Sequence, residues 1–443
     1  MPSLRTNQRI AADNLILQSK LLLADVGAGK TATVLSALKK RQLLFGHKRT
    51  LVLGTKRICE SVWGNEIFIW APELHFDHVA GKPTAERMAI MSDLSLDVVA
   101  LNFDNLIWAV KTYGPYLTQL FPQLVIDESS KLENPHSVSF KTFKPLLPLF
   151  EWRLPMTGTP RANHLYDLWG SVYLADLGES LGKYREAFLQ KWFRPVMRAH
   201  GQDWLPRPHA EHEIFARLQD IVHRMPFEWQ KPVEIDWLIP LASSVEKILA
   251  QIDDQLEESD TAIINGTTYA RNGFRINAKL MQLASGSVYN NEGEVIHYHS
   301  DKLEALAELT KEAKGEPMMV IFQFDHERDA ILKAFPQAKL LTDEKVLAEW
   351  NAGKIEILLA HPLSCGHGLN AQLSQCALQV WYSPTTDAEL YTQTVGRLNR
   401  PGNKNTVRVI RLIMKGTKDL AAYMVVAARQ KGEAATLDMF EEL

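Results

Sequence analysis

Two α/β lobes in tandem, each built on a parallel sheet, are the fold class that this 443-residue chain predicts. Three observations predict it. Short apolar β-type runs alternate with helical stretches, which is the pattern of βαβ units. These runs fall into two sets, separated by a long stretch of different character. The first set opens on a strand that feeds a glycine loop ending in Gly-Lys-Thr.

The first set of expected strands is Lys20–Ala24, Thr50–Gly54, Asp97–Leu101, Gln123–Asp127 and Trp152–Met156. The second is Pro317–Phe324, Glu356–Ala360, Leu378–Trp381 and Val407–Leu412. Residues 165–300 between them read as mainly helical and irregular. Prolines at 195, 206, 208, 226 and 232 place a lobe boundary near 230–240. The expected lobes are therefore 1–235 and 236–443. The last stretch, Lys415 to Leu443, reads as a helix with a short acidic tail.

Bulk properties exclude several classes. Hydrophobic content of 46% and charged content of 23% are ordinary for a soluble globular protein. No apolar run approaches the ~20 residues that span a bilayer. Met1-Pro2-Ser3-Leu4-Arg5 lacks the layout of a signal peptide. Cys59, Cys365 and Cys376 are an odd count without paired spacing, which argues against a disulfide framework and fits a reducing, cytoplasmic setting. Residues 1–230 hold 27 Lys and Arg against 23 Asp and Glu, a net +4, and the remainder holds 22 against 29, a net −7. The total of −3 means that any nucleic-acid contact is a local patch rather than a global field.

The glycine loop is Asp25-Val26-Gly27-Ala28-Gly29-Lys30-Thr31 after the run Leu21–Ala24. Small residues at Gly27, Ala28 and Gly29 let backbone N–H groups turn toward a phosphate. Lys30 is expected at the β/γ-phosphates and the Thr31 hydroxyl at Mg²⁺. A helix from Ala32 to Lys40 adds the positive end of its dipole. Ala24 stands where the first glycine of the full pattern is usual.

Gln123-Leu124-Val125-Ile126-Asp127-Glu128 is a buried strand ending in two acids. Ligands bind at the carboxyl ends of parallel strands, so these acids belong beside the glycine loop. Asp127 would hold Mg²⁺, and Glu128 would orient and deprotonate an attacking water. The alternative is a solvated strand end with two surface acids. Late in the second lobe, a helix through Gln393, Arg397 and Arg400 would put all three on one face, aimed at a γ-phosphate across a cleft. Its alternative is a solvated basic face. Lys183 to Arg198 combines basic residues with Tyr184, Phe188 and Trp192 at every fourth position. That spacing is a core stripe, with Arg185, Lys191, Arg194 and Arg198 left for an outer, DNA-facing surface. His361, Cys365 and His367 lie close together, yet a zinc site needs a fuller ligand set.

Taken in order, these segments resemble the motifs of a superfamily 2 helicase-like ATPase, most similar to the Swi/Snf (chromatin-remodeller-like) branch and to its compact phage and bacterial members. Leu4-Arg5-Thr6-Asn7-Gln8 resembles the upstream adenine-reading segment, and the glycine loop resembles motif I. Leu51 to Thr55, with Trp63, Glu66 and Trp70-Ala71-Pro72, resembles motif Ia. Asp127 to Asn134 resembles motif II, and Thr157-Gly158-Thr159-Pro160 with Asn163 resembles motif III. Val320 to Phe324, Ser364 to Asn370, Gln393 to Gly402 and Gly416 to Asp419 complete the series. Ser129-Ser130 replaces the common Ala-His or Ala-Gln, and Val26 replaces a frequent Glu. The segment after the acids is where this sequence departs most.

The resemblance implies two RecA-like lobes (a P-loop NTPase) with ATP and Mg²⁺ between them. It also implies helical insertions at about 165–230 and 240–300. Gln8 would read adenine. Thr55, Thr157, Thr159 and Gly366 would face nucleic acid. The implied activity is a DNA-dependent ATPase that translocates on duplex or branched DNA, in a bacterial or phage-infected cell, with a protein partner for targeting. A strand-separating helicase and a nucleotide-gated DNA-binding scaffold with little turnover are the alternatives.

Overall fold

The computed structural model spans the chain and describes all residues except 1–2, 26, 159–164, 199–200, 228–229, 242, 260, 271–273, 366–369 and 442–443. The chain divides into two compact units, Met1–Glu228 with Lys431–Leu443, and Trp229–Gln430.

The strands of the first unit are β1 (Leu21–Ala24), β2 (Thr50–Gly54), β3 (Phe76–His78), β4 (Val98–Asn102), β5 (Gln123–Asp127), β6 (Trp152–Thr157), β7 (Phe193–Arg198), β8 (Gly201–Pro206) and β9 (Val222–Met225). Seven of them form one sheet in the order β3-β4-β2-β5-β6-β1-β9. Every neighbouring pair is parallel. Central strands such as Leu21-Leu22-Leu23-Ala24 are apolar throughout because both faces of the sheet are covered. Leu21, Leu23, Leu51, Leu53, Leu124 and Ile126 enter one core, and Leu22, Ala24, Val52 and Val125 enter the other. The alternation follows from the two-residue period of a strand.

The second unit contains β10 (Val233–Ile239), β11 (Thr261–Ile264), β12 (Thr267–Ala270), β13 (Ser287–Tyr289), β14 (Val295–His297), β15 (Met318–Ile321), β16 (Lys339–Leu340), β17 (Ile357–Ala360), β18 (Leu378–Trp381) and β19 (Arg408–Met414). Its main sheet runs β10-β19-β18-β15-β17-β16, again parallel throughout. Two parallel sheets with helices between their strands give the α/β class expected.

The stretch 165–300, expected as mainly helical and irregular, carries α-helices and also strands that were not expected. It forms the antiparallel hairpins β7–β8, β11–β12 and β13–β14, the sheet strand β9, and β10. Strand β9 reads Val-His-Arg-Met, half polar because it is a sheet edge, so it carries no apolar run. Strand β10 does carry a strand signal, since Val233, Ile235 and Trp237 alternate with Glu234 and Asp236. The last helix, Lys418–Glu441, takes in most of the expected acidic tail.

A buried polar chain holds the second unit together. Lys302, wholly buried, lies with Nζ 2.7 Å from Oδ2 of Asp419, which is also wholly buried. The same ammonium donates to Ser383 Oγ at 3.4 Å. Ser383 donates to Glu327 Oε1 at 2.6 Å, and Glu327 Oε2 accepts the amides of Gln323 and Phe324 at 2.8 and 3.2 Å. Asp419 Oδ2 further accepts the Met414 amide at 3.1 Å. Burial pushes the Glu327 carboxyl up.

Candidate nucleotide site

The glycine loop leaves β1 and enters helix α2 after it. Of the first helices, α1 is Thr6–Asn14, α2 is Lys30–Phe45 and α3 is Trp63–Trp70. Gly27 and Gly29 have φ of +82° and +81°, in the left-handed region that glycine enters without cost. The Ala28 amide closes the turn by donating to the Asp25 carbonyl at 3.0 Å, and left-handed residues in such a loop can turn other amides toward an anion. The carbonyls turn the other way, and α1 with its preceding residue takes them. Arg5 donates to the carbonyls of Gly27, at 3.5 Å, and Ala28. Gln8 Nε2 donates to the carbonyls of Ala28 and Gly29 at 3.2 and 3.3 Å. Gln8 Oε1 accepts the Arg5 amide at 2.9 Å. A Cβ at Gly29 would stand 2.2 Å from Gln8 Nε2, so Gly29 is required for this approach as well as for its φ. Gln8, the expected adenine reader, here holds the loop through Nε2 while its Oε1 accepts the Arg5 amide. Lys30 and Thr31 open α2, at its positive end.

Asp127 ends β5 and is buried. Trp63 Nε1 donates to its Oδ2 at 3.0 Å. Trp63 opens α3 directly after a π-turn at Ile58–Val62. One extra residue in a helical turn rotates the turns after it, and such insertions occur often at functional sites. Burial, then the neighbouring charge of Glu128, push the Asp127 carboxyl up to about 6, against the pull of Lys30 and the Trp63 N–H. Glu128 has φ 63° and ψ 62°, a left-handed conformation that costs a non-glycine residue about 1–3 kcal/mol. Its Oε1 lies 3.8 Å from Lys30 Nζ, the two side chains being 12% and 15% exposed. The loop lysine and both strand-end acids are therefore brought together, as expected from the sequence.

Thr55 follows β2, Ser129 and Ser130 follow Glu128, and Thr157 ends β6. These are adjacent strands, so the residues share one edge of the sheet. The hydroxyls of Thr55, Ser129 and Ser130 are buried without a hydrogen-bond partner among the described residues. Thr157 is fully buried. Thr159 and Gly366, the other expected nucleic-acid contacts, lie outside the described residues, as do Pro160, Asn163 and His367.

In the second unit the expected helical face does not form. The helix is Ala388–Val395 and ends at Gly396. Gln393 is on it, but Arg397 and Arg400 follow in turns. Pro401 in any case keeps a helix from running through Arg400, because a residue before proline avoids the helical region. Gln393 Nε2 donates to Glu389 Oε1 at 2.9 Å. Arg397 is buried. Arg400 donates from Nε to the Gly396 carbonyl at 2.7 Å and from a terminal nitrogen to Asn370 Oδ1 at 3.2 Å. His361 accepts the Leu363 amide at Nδ1, 3.2 Å away.

The segment 183–198 is a helix, Arg185–Trp192, followed by the hairpin β7–β8. Phe188 and Trp192 are buried as the stripe requires, whereas Tyr184 is 70% exposed and ends the stripe early. Arg185 lies over the Tyr166 ring at 5.4 Å, and Lys191 over Trp192 at 4.1 Å. Arg194 is exposed on β7 rather than on a helix.

Sequence reasoning missed the loop-holding role of Arg5 and the Trp63–Asp127 hydrogen bond. No local signal links Trp63 to an acid 64 positions away. Among the described residues, no helix is long and apolar enough to cross a membrane.

Residues 13–261 match the SNF2-related domain. Protein p41 of Acyrthosiphon pisum secondary endosymbiont phage 1 is 30% identical, over 99% of this chain and 98% of the phage protein. An uncharacterized ATP-dependent helicase of Mycoplasma pneumoniae is 24% identical over 96% of this chain, which spans 41% of that protein. The ISWI chromatin-remodeling complex ATPase ISW1 of Saccharomyces cerevisiae is 20% identical over 89% of this chain, which spans 36% of it. The chain thus matches nearly all of the phage relative and less than half of the two cellular ones.

Proposed function

The chain belongs to the SNF2-related family of ATP-hydrolysing enzymes, and on that premise we propose a DNA-dependent ATPase that translocates on double-stranded DNA and remodels DNA or protein–DNA complexes. The observation that carries the ATPase reading is the meeting of Lys30 with a strained Glu128, 3.8 Å apart, beside the buried Asp127. DNA as the track is supported by the family and by the chromatin-remodeling relative. A cytoplasmic setting in a bacterial or phage-infected cell and a protein partner for targeting belong to the same proposal.

The residues fit a magnesium nucleotide. The loop amides and Lys30 suit a polyanion. A carboxyl that burial pushes up gains most from a nearby cation. Thr31 and Asp127 would hold Mg²⁺, and Gly27, Ala28, Gly29 and Lys30 the phosphates. Bound ATP with Mg²⁺ supplies the phosphoryl group and neutralises the charge that develops on it. Glu128 orients a water and takes its proton. Arg397, Arg400 and Gln393 are proposed to act on the charge of the transition state. Thr55, Thr159 and Gly366 are proposed to face DNA, whereas Thr157, expected there from the sequence, is fully buried at the end of its strand.

ATP turnover against duplex, forked and single-stranded DNA and RNA tests this reading. Duplex DNA is expected to stimulate most. Triplex displacement without fork unwinding marks a translocase, and unwinding marks a helicase. DNA binding without stimulated turnover marks a scaffold.

A further inference from the structure

The glycine loop has an anchor that phosphate binding alone does not call for. Asp25, between β1 and the glycines, is an acid at the approach to a site built for a polyanion. Its charge there is unfavourable unless neutralised. Arg224 neutralises it, with one guanidinium nitrogen 2.8 Å from Oδ1 and 2.9 Å from Oδ2. The amide of Phe227 donates to Oδ2 at 2.8 Å. Arg224 lies on β9, in register with Leu23 of β1, and its side chain is 9% exposed. Residues of the same segment meet the other anchor of the loop. The Arg5 guanidinium lies over the Phe227 ring, 4.2 Å from its centroid, while also holding the Gly27 and Ala28 carbonyls. Asn7 Nδ2 donates to the Pro226 carbonyl at 2.9 Å. The first stretch of that unit ends at Glu228, one residue after Phe227.

We propose that Arg224 is a positioning residue for nucleotide binding, and that the Asp25–Arg224–Phe227 clamp makes the segment by which the chain leaves the first unit respond to nucleotide. This rests on the ATP reading above. The clamp does two things. It cancels the Asp25 charge near the incoming phosphates. It also ties the loop by charge-assisted hydrogen bonds, which are stiffer than an exposed ion pair. A loop that shifts to meet an anion then moves Arg224 and the Phe227 amide with it.

The test is a double-mutant cycle of Arg224→Gln and Asp25→Asn. It is read by equilibrium binding of a fluorescent ADP without DNA, and by amide exchange of peptides covering 222–227 with and without ADP. R224Q exposes the Asp25 charge, so its affinity is expected to fall about tenfold, the size of one charge-assisted hydrogen bond. D25N removes both the charge and its partner's purpose, so the double variant is expected to bind better than R224Q alone. ADP should slow exchange at Phe227 in the parent chain and not in D25N, which removes the carboxylate that the amide donates to. Parent affinity in R224Q, or a double variant as weak as the two single losses combined, overturns the clamp. If R224Q does not fold, D25N carries the test, and nucleotide-responsive Phe227 exchange that survives in D25N overturns it. A parent chain that binds no ADP overturns the nucleotide reading and the clamp together. Parent-like binding by R224Q overturns the clamp alone.

Discussion

Two lysine–acid pairs, one in each unit, are built in opposite ways. Lys302 and Asp419 are 2.7 Å apart and wholly buried, and a chain through Ser383 extends the pair to Glu327. Lys30 and Glu128 stand 3.8 Å apart and partly open. Their surroundings are costly to maintain, with a left-handed Glu128, an Asp127 carboxyl held up by burial, and buried hydroxyls at Ser129 and Ser130 without partners among the described residues. The first pair is a structural joint, in which each charge already faces its opposite, although Asp419 Oδ1 has no hydrogen bond among the described residues. The second leaves its charges short of partners, as a site does when a ligand completes it. Removing a residue from the first pair should therefore cost stability, and removing one from the second should cost turnover.

The largest effect should come from outside both pairs. Arg400→Ala is expected to lower kcat by about 10³ or more with nucleotide affinity less affected, since such arginines act on transition-state charge. Single-turnover hydrolysis checks it, and an unchanged rate in the folded protein would make Arg400 a surface residue. Next, Glu128→Gln should retain ATP binding and hydrolyse at least ~100-fold more slowly, as expected for a lost positioned base. Near-parent hydrolysis would remove Glu128 from the chemistry and erase the contrast between the pairs.

Stability then separates the pairs by sign. Lys302→Ala leaves Asp419 buried and unpaired, and should destabilise by about 3–5 kcal/mol in denaturant titration. Asp127→Asn should stabilise the nucleotide-free protein while abolishing turnover. Burial raises the Asp127 carboxyl from 3.8 to about 6, so the folded state holds its proton more tightly than the unfolded state. Stability then falls as pH rises from about 4 to 6 and stays level above. The gain from Asn, roughly 1–3 kcal/mol, should be complete above that window and vanish below it. A gain that persists at pH 3 would assign the effect to packing.

Much of this was legible in the sequence, and the limits have physical causes. The central strands and the Lys30–Asp127–Glu128 constellation could be read because they are continuous apolar runs ending in polar residues. Strand β9 was hidden because an edge strand needs no apolar run, and Arg224 with it. Pro401 keeps a helix from running through Arg400, but the spacing of Gln393, Arg397 and Arg400 suggested one. Trp63 could not be linked to Asp127 without the π-turn that aims it. Tyr184 shows that a four-residue period can outrun the helix that carries it.

The smallest effect concerns the surface. Arg194→Glu should shift stability by about 0.5 kcal/mol or less, because exposed charges contribute little to it, and should weaken DNA binding at low salt. A DNA titration that does not move confines the DNA path to the motif-bearing surfaces around Thr55 and Thr157. Phe188→Ala in the same segment should instead destabilise by about 3–5 kcal/mol.

The most direct test of the central claim is the steady-state ATP turnover of the unaltered chain with duplex DNA, single-stranded DNA and poly-uridine RNA, with Glu128→Gln alongside. Turnover should be stimulated most by duplex DNA and be nearly absent in the Gln variant. Equal stimulation by poly-uridine RNA and duplex DNA, or turnover that survives in Glu128→Gln, would contradict that claim.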